Sequence, residues 1–458
     1  MNCLSKRILH CALLVGSVVA AALLDGCSSG LATGTATGPT TVTVAAGQYT
    51  GVVMGAQQPV GMTTLQMYQT GTSGYGSAAT ALFPAGSVKT TASGNFTLPS
   101  FTCTAGTYLY LVGTGGQPVA GATNANLGLM AGLGLCSTVQ TNIANGGFIS
   151  VNEVTTVSSI WALSPFMTGL ANVGTSTNNT TGLGNAFAAI NKIVNIPTGA
   201  LPGPLLPAGA TLPTSEIDTL ADILVACVNS GGGGVTSGVS DGTACGNLFK
   251  LAPNAAGATY PTDTITAAMN IAQNPSRNVA ALTMLEGTSP LYQPALSVNT
   301  PPNAFTIAIT YTGGGLNSPH GVATDASGNV WVANTSGNSV SEFASSGAPV
   351  SGASGFNPIG SIAAPYALAI DQSGYIWVAS TNNSVTKLAP SGSSGTVYTG
   401  NGLSTPKSIA IDGAGNAWVA NSAGATVSAF TSNGSVLSGS PFSGGGVADP
   451  AAIAISPK

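Results

Sequence analysis

The C-terminal third of the chain repeats itself. Ser318-Pro319-His320-Gly321-Val322-Ala323-Thr324-Asp325-Ala326-Ser327-Gly328-Asn329-Val330-Trp331-Val332-Ala333-Asn334 is echoed from Ala364-Pro365-Tyr366 to Trp377-Val378-Ala379-Ser380. It returns from Thr405-Pro406-Lys407 to Trp418-Val419-Ala420-Asn421. A fourth copy opens at Asp449-Pro450-Ala451. Pro319, Pro365, Pro406 and Pro450 stand 46, 41 and 44 residues apart, close to the length of a four-stranded propeller blade. Each full copy reads as an alternating strand, a tight Asp-x-x-Gly turn with glycine at positive φ, and a Trp-Val-Ala strand. Asp325, Asp371 and Asp412 share the hairpin position, which favours turn formation over calcium ligation.

Closed propellers have roughly four to eight blades. Residues 305–458 supply three, with a leading strand at Phe305 to Thr312 and a trailing strand from Pro450. Either these two strands make a partial last blade, or the array is an open arch, half of a self-associated assembly, or a truncated reading frame. Trp331, Trp377 and Trp418 recur with the repeat, so they are expected to pack between blades, the middle Trp377 serving two interfaces.

These motifs resemble the NHL-repeat family and, more broadly, the streptogramin-lyase-like propellers. The resemblance implies a β-propeller that binds ligands. In the lyase-like enzymes a histidine and an acid perform base-catalysed elimination with magnesium, which singles out His320. Tyr366, Lys407 and Ala451 hold the equivalent places, so radial blades would set His320, Tyr366 and Lys407 in a ring of differing side chains. Asn334, Ser380 and Asn421 form a second such ring. Both rings are candidate ligand-binding surfaces, and the plain alternative is that they are strand-end residues. General-base catalysis needs a positioned acid, and only 13 Asp and Glu occur in 458 residues.

The N-terminus reads as an export signal. Lys6 and Arg7 precede an apolar run from Ala12 to Leu24, long enough for a signal peptide and too short to span a bilayer. Leu24-Asp25-Gly26-Cys27 resembles a bacterial lipobox, although Asp25 departs from it. The resemblance implies lipidation of Cys27, and Ser28 implies an outer-membrane address in the cell envelope; plain secretion is the alternative. Of seven cysteines, Cys3 and Cys11 leave with the signal. The last four fall into local pairs, Cys103 with Cys136 and Cys227 with Cys245, and an even number in an exported protein argues for disulfides. Zinc is disfavoured, because no C-x-x-C occurs and the nearest histidine, His320, is distant.

The remaining chain divides by pattern into a signal (1–27), a polar tether (28–47), a β-sandwich (48–122), a mostly helical domain (123–302) and the repeats (303–458). Gly51-Val52-Val53, Gln58-Pro59-Val60-Gly61, Ser93-Gly94-Asn95-Phe96 and Gly106-Thr107-Tyr108 resemble the carboxypeptidase regulatory-like sandwich, which implies a spacer or binding platform. Helical spacing begins after Asn152. Further helices are expected from Thr214 or Ser215, from a Thr262 cap, and over Asn278 to Leu285. Gly238-Val239-Ser240-Asp241-Gly242 matches the nucleophile-elbow pattern, but it sits in a Gly-rich loop with no histidine nearby.

The fold class is therefore multidomain and mainly β: N-terminal sandwich, small helical middle domain, and C-terminal propeller-type repeats that are either incomplete or closed by a partner. Nine Lys and Arg cannot build a phosphate-binding face, which excludes nucleic acid. The leading expectation is a non-enzymatic envelope protein, membrane-attached only through lipid, that binds a protein or glycan without a cofactor or metal. A lyase-like or lactonase-like propeller enzyme and a structural envelope protein are the alternatives.

Overall fold

A strand whose polar edge faces no partner strand must find other acceptors and donors, and this requirement organises the N-terminal body. The computed structural model describes residues 40–118, 122–139, 147–254, 259–360 and 362–456. One sheet runs Gly128–Leu135, Tyr108–Thr114, Thr64–Gln69, with Thr80–Ala81 and Val88–Lys89 both pairing with the last. A second sheet is centred on Thr50–Gly55, flanked by Asn95–Thr97 and, in parallel, by Phe148–Val151. Gly128–Leu135 is an edge strand. Its backbone N–H groups at Gly128, Met130 and Gly132 donate to the hydroxyls of Thr264, Thr156 and Ser159, each at 2.9 Å. Alternate residues of the strand thus meet hydroxyls from two helices, and the edge is covered rather than left to pair with another chain.

Those hydroxyls explain an unusual helix. Glu153–Leu163 is buried on almost every side, with Thr155, Thr156, Ser158 and Ser159 inside. The Asn152 side chain accepts from Thr155 N, and the Thr155 hydroxyl accepts from Asn152 N, closing a capping box. Helices Thr180–Ile193, Thr214–Val228 and Thr264–Gln273 pack around it.

Several expectations change here. One hydrophobic core runs continuously from Val44 to Phe305, so the sandwich and the helices are not separated at residue 122: the sheet itself crosses that boundary. Strand Thr41–Val44, inside the expected tether, pairs with Phe101–Thr104. The helix Thr214–Val228 has no side-chain cap, and Asp263, not Thr262, caps Thr264–Gln273 by accepting from Thr266 N at 2.8 Å. Helices Thr180–Ile193 and Ala244–Leu251 were not anticipated. Disulfides join Cys103 to Cys136 and Cys227 to Cys245, as the local spacing suggested. Among the described residues no helix is long and apolar enough to cross a membrane. The signal peptide and Cys27 lie outside the described residues.

The repeats form three blades. Blade 1 contains Pro319–Thr324, Val330–Asn334 and Ser339–Phe343. Blade 2 contains Pro365–Ile370, Ile376–Ser380, Ser384–Leu388 and Gly395–Thr399. Blade 3 contains Pro406–Ile411, Ala417–Asn421 and Thr426–Phe430. In blades 1 and 3 the fourth strand is reduced to bridges such as Val340 to Phe356 and Val427 to Phe442. The first strands of successive blades lie side by side. The expected leading strand does not join them. Phe305 is buried in the N-terminal core, and Thr310–Tyr311 pairs with Ala210–Thr211.

Each repeat aspartate holds its hairpin and its tryptophan together. Asp371 Oδ1 accepts from Ser373 N and Tyr375 N at 2.9 and 3.0 Å, while Oδ2 accepts from Trp377 Nε1 at 2.9 Å. Asp325 and Asp412 repeat the arrangement with Trp331 and Trp418. Burial would raise the carboxyls of Asp325 and Asp412, but these donors hold both below the ordinary value.

Candidate functional site

The residue before each repeat proline is left-handed: Ser318, Ala364, Thr405 and Asp449 have φ of 52, 47, 49 and 44°. A non-glycine residue adopts this region at a cost, and a following proline disfavours departures from extended backbone. The surroundings enforce it. Thr335 N, Thr381 N and Ser422 N donate to the carbonyls of Ser318, Ala364 and Thr405. Asn338 and Asn383 reach from the preceding blade to accept from Ala364 N and Thr405 N at 2.8 and 2.7 Å. The same bend therefore launches every first strand, and the residue two positions on starts each blade in the same frame.

Those residues are His320, Tyr366 and Lys407. His320 is exposed, and Tyr366 and Lys407 are half-buried. The His320 and Tyr366 rings touch, centroids 3.6 Å apart and planes tilted by 34°. Gly321 lets the strands come this close, because a Cβ there would lie 2.7 Å from the Tyr366 carbonyl oxygen. Two adjacent members of the first ring thus form one aromatic surface. Among the described residues no group of three or more His, Cys, Asp or Glu is arranged to hold a metal ion.

The second ring is not a ligand surface. Asn334, Ser380 and Asn421 are fully buried. Asn334 Nδ2 donates to Ser339 Oγ and Ser341 Oγ at 3.2 and 2.8 Å, and its Oδ1 accepts from Asn317 N. Asn421 does the same toward Thr426, Ser428 and Ser404 N. Burial forces such amides to spend their hydrogen bonds internally, so these residues tie the second strand to the third and to the incoming chain. Ser380 is too short to do this. Its Oγ and that of Thr386 are buried without a partner.

Two features escaped the sequence reading. One is an apolar groove of about 420 Å³ on the outer face of blade 1, lined by Tyr311, Leu316, Pro319, Val330, Val332 and Phe343 among others. The second is a cluster of buried acids. Glu153 Oε2 accepts from Ala56 N at 2.9 Å and from the Tyr292 hydroxyl at 2.8 Å. Asp222 accepts from Leu291 N and Tyr292 N. Burial pushes the Glu153 carboxyl up to about 7 and the Asp218 carboxyl up to about 6, and raises Asp222 and Glu286. Asp222, in the middle of Thr214–Val228, thereby clamps the segment that leads out to the blades. Ser240 is equally structural, donating to Asn247 Oδ1 and accepting from Gly242 N.

Residues 316–343 match the NHL repeat family. Blade 1 is NHL-like. No curated protein sequence matches this chain. A solved streptogramin B lyase is similar at 22% identity and a TM-score of 0.26, over 30% of this chain and 45% of that one. A virginiamycin B lyase from Staphylococcus aureus is similar at 21% and 0.24, over 28% and 41%. A nidogen/laminin complex is similar at 16% and 0.23, over 29% and 49%. The chain spans less than half the length of each of these structures.

Proposed function

We propose that this chain is an exported binding protein of the cell envelope, lipid-anchored at Cys27, that takes its ligand at the blade starts through His320, Tyr366 and Lys407. The contact of the His320 and Tyr366 rings on an exposed strand start carries this reading. Aromatic faces give sugars and peptide side chains a rigid apolar surface, and the neighbouring cation adds polar recognition. The repeated left-handed bend supports it, because it fixes the frame while the side chain varies from blade to blade. NHL-type repeats support a protein ligand, with an envelope glycan as the other candidate of the same site. A lyase reading would require an acid beside His320; the ring neighbour that the structure provides is Tyr366.

The test is capture from envelope extract and from a panel of immobilised envelope glycans. His320→Ala and Tyr366→Ala should each lose the captured ligand while keeping the wild-type melting temperature. Retention of all ligands by the double variant would refute the site. Cys27→Ser should release the protein from membranes, and a wild type without an acyl chain by mass spectrometry would refute the anchor.

A further inference from the structure

Blade 2 departs from the repeat at two neighbouring positions. After each Asp-x-x-Gly turn comes Asn329, Tyr375 or Asn416, and opposite each tryptophan on the third strand stands Glu342, Lys387 or Ala429. In blades 1 and 3 the asparagine serves the hairpin: its Nδ2 donates to the second oxygen of the repeat aspartate at 3.0 and 2.9 Å. In blade 2 Lys387 stands in for that amide, its Nζ 3.8 Å from Asp371 Oδ2. The same ammonium lies 4.1 Å from the Tyr375 ring centroid and 5.0 Å from the Trp377 ring centroid, and it donates to the Ser432 carbonyl of blade 3. Lys387 therefore holds Tyr375 by one face, yet Tyr375 stays 37% exposed. The hairpin itself calls for no aromatic here, since asparagine completes it twice.

The exposed ring stands in a cleft between the turns of blades 2 and 3. A hollow of about 410 Å³ is lined by Gln372, Ser373, Gly413, Ala414 and Ser432. A second, of about 310 Å³, is lined by Ser394, Thr396 and Tyr398. Tyr375, Lys387 and Asn433 line both hollows. The charged wall residues are Lys387 and Asp371, which face each other, so the cleft has no net charge. Asn433 Oδ1 accepts from Ser435 N and the Thr431 hydroxyl, which leaves its Nδ2 to donate to a ligand, and Gln372 is exposed.

We propose that this cleft is a second binding site, separate from the blade starts, that takes a neutral oligosaccharide across the Tyr375 ring. A sugar stacks its C–H face on an aromatic ring and gives its hydroxyls to amides and serines, the groups that line both hollows. The absence of charge on the ligand matches a wall whose cation is already paired. Two hollows that meet at one platform suit a chain of several sugars rather than a single ring. The site lies at the other end of the blade from the ring of His320, Tyr366 and Lys407: Tyr366 opens the strand Pro365–Ile370, and the Asp371 turn follows it.

Isothermal titration of the full chain with chitotriose, cellotriose and maltotriose should give saturable binding of at least one of them. Tyr375→Asn introduces the residue that blades 1 and 3 carry, so it should keep the wild-type melting temperature and weaken that binding by about tenfold or more. Tyr375→Phe keeps the stacking face and should bind as the wild type does. Asn433→Ala, on an exposed turn, should weaken binding in a folded chain. The blade-start reading stands or falls separately, on His320→Ala and Tyr366→Ala. A wild type that binds none of the three sugars, or a folded Tyr375→Asn that binds as the wild type does, would overturn the proposal. So would a loss of sugar binding in His320→Ala that Tyr375→Asn does not share, because it would place the sugar at the blade starts.

Discussion

Glu153 should make this protein more stable in mild acid than at neutral pH. Its side chain is fully buried, with one oxygen held by Ala56 N and the Tyr292 hydroxyl and the other, Oε1, without a partner. The groups facing it are Tyr292 and, on the helix Thr214–Val228, Asp222; Asp218 and Glu286 lie in the same cluster through Asp222. No cation offsets them in these contacts. Burial raises the carboxyl from 4.5 to about 7, and the Asp222 charge adds to the rise, against the lowering by the two donors. The folded chain thus holds a proton that the unfolded chain releases between pH 4.5 and 7. Stability from this group is complete below 4.5 and is lost as pH rises through 7. At about 1.4 kcal/mol per pH unit the loss is about 3 kcal/mol. Asp218, raised to about 6, acts in the same direction over a lower window. Chemical denaturation at pH 4.5, 6 and 8 should show the wild type weakening along this series. Glu153→Gln keeps the shape and removes the titration, so it should flatten the slope by about 3 kcal/mol and leave the residue of Asp218, Asp222 and Glu286. A wild type more stable at pH 8 than at pH 4.5, or an unchanged slope in the variant, would refute the reasoning.

Trp331→Ala and Trp377→Ala should each cost ~3–5 kcal/mol, because each tryptophan is buried in one inter-blade core. Trp418→Ala should cost less, because Trp418 is only half-buried; equal melting-temperature losses for all three would refute that difference. Ser380→Asn should stabilise blade 2 by about 1 kcal/mol, since the amide would reach the unpartnered Thr386 hydroxyl as Asn334 reaches Ser341; a lower denaturation midpoint would show that the longer side chain does not fit.

The blades were legible because their signals are local. Strand alternation, the Asp-x-x-Gly turn and the tryptophan all fall within 17 residues of each copy, so three copies reinforce one reading. The role of each aspartate was only half visible: the turn was evident, but its second oxygen meeting the indole six residues on needs the hairpin's geometry. The cysteine pairs were legible for the same reason of closeness. The strand Gly128–Leu135 was not, since Gly-Leu-Met-Ala-Gly-Leu-Gly-Leu carries no polar residue to set an outward face against an inward one. Its place depends on hydroxyls 26, 27 and 136 residues away.

The second ring misled because a polar residue ending an apolar strand looks like one that meets water. A corrective signal was present. Asn334 is followed at five and seven residues by Ser339 and Ser341, and Asn421 by Thr426 and Ser428. In a tight hairpin these offsets bring hydroxyls back across the Asn side chain, and recurring hydroxyls opposite a recurring amide indicate an internal network. The tryptophans misled in a simpler way. Successive strand residues point to opposite faces, so Trp377 and Val378 cannot serve the same interface: Trp377 belongs to the core with blade 3 and Val378 to the core with blade 1. The middle tryptophan therefore holds one interface, not two. The same alternation gives every blade a tryptophan face and an opposite apolar face, and among the described residues the opposite face of blade 1 is the more exposed. Identical sequence motifs hide that difference; it appears only when equivalent residues such as Val322, Leu368 and Ile409 are compared by burial.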